Sequence, residues 1–75
     1  MNKKQLVLDV INSIRKKNGL AELNEWQSET NLRDDLGLSS LELAELTVKI
    51  EAKTGIDIFA SGLIYTTGEI LEKLN

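Results

Sequence analysis

Two adjacent hydroxyl residues, Ser39 and Ser40, draw attention in this 75-residue chain because it contains neither histidine nor cysteine. Histidine is the usual general base near neutral pH, and cysteine is the strongest protein nucleophile. Carboxylates and lysines remain, but so short a chain has little room for a concave, water-excluding site. Composition therefore argues against an independent enzyme. Ser39 and Glu42 stand three apart, the spacing of a capping box, in which each side chain satisfies a backbone N–H at the start of a helix. That reading accounts for one serine and leaves Ser40 without a role. Asp34 and Asp35 form a nearby carboxylate pair, yet two acids with no further ligands in sequence make a poor metal site.

The elements that position these residues follow from hydrophobic periodicity. Leu6, Val7, Val10, Ile11 and Ile14 recur at helical spacing and predict an amphipathic helix over 3–17, with Arg15, Lys16 and Lys17 at its negative dipole end and Asn18-Gly19 as its stop. A long connection over 18–36 carries apolar anchors at Leu20, Leu23, Trp26, Leu32 and Leu36, which predict that it packs along the bundle. Trp26 reads as a plug over the core, with ligand stacking as the competing reading. A second helix is predicted over 40–54, ending at Gly55, with Leu43, Leu46 and Ile50 as its inward seam. Leu41, Ala44 and Val48 form an adjoining stripe, which is either a wide buried face or a partner-docking surface ringed by Glu42, Glu45 and Glu51. Beyond Gly55, Ile58 pins an extended connector, residues 60–63 form a short helix or turn, and Thr66 with Glu69 caps a last helix over 67–74. Ile70, Leu71 and Leu74 supply its inward face. The expected fold is all-α: a small four-helix bundle, three main helices plus one short helix or turn, with a long loop between the first two, forming a single domain over 1–75.

Charge narrows the partners. Residues 1–17 hold five basic side chains against one acidic, whereas residues 18–48 hold seven acidic against one basic. The net charge of −3 and the lack of a basic, aromatic-interleaved stripe argue against nucleic acid. Acid gathered around the serine pair reads either as a solvated surface or as steering for a basic partner. The N-terminal run has no continuous apolar core, so neither a signal peptide nor a membrane span is expected, and cytoplasmic residence is the default. No heptad pattern is sustained, and a monomer is expected.

The run Leu36-Gly37-Leu38-Ser39-Ser40-Leu41, followed by Glu45-Leu46, resembles the Leu-Gly-x-Asp-Ser-Leu motif of free-standing, phosphopantetheine-carrying acyl carrier proteins. The resemblance extends over nearly the whole chain: its length, element order, acidic loop, Gly55-Ile56-Asp57-Ile58 segment and paired threonines before the last helix. It implies that Ser40 receives 4′-phosphopantetheine from coenzyme A through a holo-synthase, a phosphopantetheinyl transferase using magnesium. The arm then carries acyl groups as thioesters, so the protein needs no thiol or base of its own.

The resemblance further implies that acyl ligases, transferases or synthases dock on the acidic second helix. Asp34, Asp35, Leu41, Glu42, Glu45 and Val48 are the partner-binding candidates. Leu46, Ile50, Ile58, Leu63, Ile64, Ile70 and Leu71 are candidates for lining an acyl cleft, with ordinary core as the competing reading for each. The sequence departs from the family where Ser39 replaces the usual Asp, where Lys49, Ala52 and Lys53 dilute the acidity of the helix, and where Phe59-Ala60-Ser61-Gly62 lacks acidic residues. These departures leave fatty-acid synthesis and a specialised lipid, polysaccharide or metabolite pathway both open. An aminoacyl or peptidyl carrier and an unmodified helical interaction module are the alternatives.

Overall fold

In the computed structural model, which describes residues 2–74, periodicity becomes structure closely where predicted. The first helix, α1 (Lys3–Lys17), is capped by Asn2, whose side chain accepts the Gln5 N–H at 3.1 Å. Val7, Leu8, Val10, Ile11 and Ile14 are buried along it, and Leu6 is half-buried. Asn12, which interrupts the apolar run, has its own task. Its side-chain amide donates to the Leu23 carbonyl and accepts the Leu23 N–H, both at 2.8 Å. This reciprocal pair satisfies a peptide unit of the loop as a neighbouring strand would.

The second helix, α2 (Ser40–Thr54), ends at Gly55 in a left-handed conformation, φ 76°. The third, α3 (Thr67–Leu74), opens on the predicted box: the Glu69 N–H donates to Thr66 Oγ1 at 3.3 Å, and the Thr66 N–H donates to Glu69 Oε1 at 3.1 Å. α1 packs against both other helices. Lys17 reaches Glu45 and Lys49 reaches Ser13, so α1 and α2 run antiparallel.

The connections hold the bundle together. Between α1 and α2 the chain doubles back along the core, burying Trp26, Leu32, Leu36 and Leu38, while Leu23 is half-buried. Leu20 departs from expectation and is 40 % exposed. It follows directly on the left-handed Gly19, and its N–H donates to the Arg15 carbonyl at 2.9 Å, which holds it in the turn that ends α1. The loop is then stitched to the start of α3. Asn31 and Thr66 form an isolated antiparallel bridge, the Leu32 N–H donates to the Tyr65 carbonyl at 2.8 Å, and the Thr67 N–H donates to the Thr30 carbonyl at 3.1 Å. Thr67 is fully buried, and its hydroxyl donates to the Gln27 carbonyl at 2.5 Å.

The short fourth element resolves as two consecutive turns rather than a helix. The Ala60 N–H bonds the Asp57 carbonyl and the Gly62 N–H bonds the Phe59 carbonyl, with Asp57 Oδ1 accepting the Phe59 N–H at 2.9 Å. Gly62 at φ 129° breaks any helical continuation. Three α-helices thus make up the regular structure among the described residues.

Candidate functional site

Ser40 is the first residue of α2 and is exposed. The turn before it sets its position. Leu36 and Leu38 are both buried, and a left-handed Gly37 (φ 72°) between them lets the chain reverse without lifting either leucine from the core. The Gly37 N–H bonds the Arg33 carbonyl at 3.0 Å, and the Leu38 N–H bonds the Leu32 carbonyl at 3.1 Å. Arg15, from the last turn of α1, donates to the Leu36 carbonyl at 2.7 Å and to the Ala21 carbonyl at 3.1 Å. The backbone leading into the site is therefore fixed by core burial on one side and a guanidinium on the other.

Capping is done by Ser39. Its hydroxyl accepts the Glu42 N–H at 3.3 Å, and Glu42 Oε1 accepts the Ser39 N–H at 2.8 Å. The helical ladder begins at Leu43, whose N–H donates to the Ser39 carbonyl. Ser40 and Leu41 precede it in the first turn, where backbone N–H groups lack intrahelical acceptors and the helix dipole favours an anion. An exposed serine hydroxyl on this turn suits a phosphodiester chemically. The Ser40 side chain is spared from the cap, which gives it the room a covalent arm needs.

The acidic candidates are distributed less openly than their number implies. Asp34 is exposed. Asp35 uses its carboxylate within the turn, accepting the Asn31 N–H at 2.7 Å, while Asn31 Oδ1 accepts the N–H groups of Arg33 and Asp34. Glu42 is engaged in the capping box. Glu45 is held by Lys17, with both carboxylate oxygens within 2.8 Å of its Nζ, and by Lys49 at 3.2 Å. Hydrogen bonding from Lys17, then from Lys49, keeps the Glu45 carboxyl below its ordinary value. Leu41 and Val48, by contrast, stand 81 % and 66 % exposed. The open half of the stripe faces solvent. Lys17, Leu20, Ser39, Leu41, Glu42 and Glu45 border a shallow groove of about 490 Å³ beside the serine pair.

The cleft candidates divide cleanly. Leu46, Ile50, Ile58 and Ile70 are fully buried, Ile64 nearly so, and all belong to one core cluster, against which the half-buried Leu71 packs. Leu63 is a correction: at 74 % exposed it lies outside that core. It precedes Ile64 in a short extended stretch whose side chains alternate, sending Ile64 inward and Leu63 and Tyr65 outward. Three contributors were not anticipated: the core residue Leu38, the Arg15 clasp and the Lys17 clamp. Leu38 carried a signal, since it repeats the apolar character of Leu36 across a glycine. Arg15 and Lys17 carried none, since their partners lie 21 and 28 residues away.

Residues 9–67 match the family described as phosphopantetheine attachment site, and that span contains the α2 start with its serine pair. The chain belongs to this family. It is 36 % identical over 58 residues to an acyl carrier protein of Exiguobacterium sp. and 40 % identical over 58 residues to one of Exiguobacterium sibiricum; each alignment covers 77 % of this chain and 72 % of the relative. Comparison with solved structures gives no significant match. The chain is thus an acyl carrier bearing a phosphopantetheine attachment site, a carrier rather than a catalyst. Membership implies a phosphopantetheinyl transferase and acyl-processing enzymes as partners. Among the described residues no helix is long and apolar enough to cross a membrane.

Proposed function

We propose that Ser40 is the attachment residue, and that residues 1–75 act as one carrier domain that presents acyl thioesters to its partner enzymes. The observation carrying this reading is the division of labour between the serines: Ser39 caps α2 through Glu42, while Ser40 stands exposed on the first turn with its hydroxyl outside the cap. In the loading step the Ser40 hydroxyl oxygen forms a new bond to phosphorus and its proton passes to the transferase. The pyrophosphate link of coenzyme A breaks, and the nucleotide portion leaves. The bound arm supplies the thiol on which cargo is carried.

Docking for that transfer falls on the first half of α2, where Leu41 and Val48 offer apolar contact. Of the four neighbouring carboxylates, Glu42 is engaged in the cap, Glu45 is paired with Lys17 and Lys49, and Asp34 and Asp35 border the loop before the serine pair. Leu46, Ile50, Ile58, Ile64, Ile70 and Leu71 are the side chains an acyl chain would meet between the helices. Because most of these are fully buried, entry of cargo requires the helices to part. The test is intact mass spectrometry after incubation with coenzyme A, magnesium and a competent transferase. One phosphopantetheine should add to the wild type and to Ser39→Ala, and none to Ser40→Ala. Retention of the added mass by Ser40→Ala would overturn the assignment.

A further inference from the structure

The exposed face of α2 is more apolar and less acidic than its carboxylates suggest. Leu41, Val48 and Ala52 recur at helical spacing on its solvent side, and with Leu41 and Val48 so largely exposed they form an apolar ridge leading away from Ser40. Three carboxylates, Glu42, Glu45 and Glu51, belong to this helix. Glu51 stays exposed beside Val48 and Ala52, about three turns from Ser40, and the two nearer the serine are engaged. Glu42 is turned back into the capping box. Glu45, which flanks the ridge on the α1 side, lies 2.7 Å from the Lys17 ammonium and 3.2 Å from that of Lys49. Lys49 Nζ is also 3.2 Å from Ser13 Oγ, so the clamp spans the α1–α2 seam. A cationic group arriving at Glu45 must displace two resident ammonium groups, exchanging one ion pair for another, and such an exchange gains little in water.

We propose that Lys17 and Lys49 form a specificity filter: by masking Glu45 they bias the docking face against strongly basic partners, toward an enzyme that receives the Leu41–Val48–Ala52 ridge in an apolar groove. The inference rests on Ser40 being the loading site, since an enzyme that reaches its hydroxyl must cover the adjoining Leu41. Like charges repel across an interface, so the same lysines actively disfavour a cationic docking surface as well as withholding the acid that would attract it.

The experiment compares phosphopantetheine transfer from coenzyme A by a transferase with a basic docking surface, in low and high salt. Wild type, Lys17→Met/Lys49→Met and Leu41→Ala are measured side by side, with helicity checked by circular dichroism. Methionine preserves much of the apolar stem while removing charge. In about 50 mM salt the double variant should be loaded on the order of three- to tenfold faster in kcat/KM than wild type, and the ratio should approach unity at about 500 mM, where screening acts within a few ångströms. Leu41→Ala should lower kcat/KM by a similar factor at both salts. A double-variant ratio of one at low salt, or a ratio unchanged by salt, would overturn the filter. So would full activity of Leu41→Ala. Should the double variant lose helicity, Lys49→Met alone must show the same salt-dependent gain in smaller measure. If wild type is not loaded under any condition, the Ser40 reading fails and the filter with it, an outcome distinct from loading without a salt-dependent difference.

Discussion

At the mouth of α2 two chemically identical side chains differ in what holds them: Ser39 is bound into the capping box, and Ser40 is exposed outside it. Ser39 accepts the Glu42 N–H and Glu42 returns a bond to the Ser39 N–H, so removing the Ser39 hydroxyl leaves a helix donor unsatisfied. Ser39→Ala should lower unfolding free energy by about 0.5–2 kcal/mol, measured by urea denaturation, while the protein still accepts phosphopantetheine. Ser40→Ala should do the reverse, changing stability by less than about 0.5 kcal/mol, as for an exposed substitution outside such a network, while abolishing modification. Equal stability losses in the two variants would show that the cap is shared. The cap was legible in sequence because the box has a fixed local spacing. An aspartate at 39 would serve as a cap equally well, so serine there keeps the cap and places one charge fewer beside Ser40.

The helices were legible for the same reason: their apolar positions, caps and glycine stops are local. The loop was not. Its anchors could be read as apolar, but the bonds that shape it join Gln27 to Thr67 and Ser28 to Gly68, about 40 residues apart. No periodicity records such a pairing. It is testable at Gly68, whose N–H donates to the Ser28 carbonyl at 2.9 Å, and where an added Cβ would sit 2.8 Å from that same oxygen. Helix propensity alone predicts that Gly68→Ala gains up to about 1 kcal/mol. Overpacking against a backbone carbonyl, which cannot swing aside as a side chain can, costs about 1–3 kcal/mol. The clash should win, giving net destabilisation in thermal or urea unfolding. A more stable Gly68→Ala variant would mean that the loop yields and that the stitching to α3 is soft. Leu63 illustrates the complementary difficulty: its apolar character made it a candidate for the acyl cleft, with ordinary core as the competing reading, whereas the alternation with Ile64 leaves it facing solvent.

Across the whole molecule the basic amino-terminal segment and the acidic middle fold onto one another, so charge separated along the chain is partly cancelled in space. Two carboxylates report this in different ways. Glu45 is held below its ordinary value of 4.5 by hydrogen bonds from Lys17 and then Lys49, with their charges assisting. Glu69 is held below the same value chiefly by the Tyr65 N–H, helped by Thr66. In both cases the folded chain releases the proton more readily than the unfolded chain. The stability each contributes is therefore complete above 4.5 and declines as pH falls from there through the lower folded value. The causes predict different salt responses. An exposed ion pair is screened, whereas a backbone hydrogen bond is largely insensitive to ionic strength. Urea unfolding of wild type, Glu45→Gln and Glu69→Gln should be followed from neutral pH down past 4.5, in low salt and in about 0.5 M sodium chloride. Each substitution should flatten the acid-side loss of stability in low salt. In high salt the Glu45→Gln curve should merge in slope with wild type, while the Glu69→Gln curve stays flatter. If both differences vanish together in high salt, the hold on Glu69 is electrostatic at long range and the Tyr65 bond does not set its acidity.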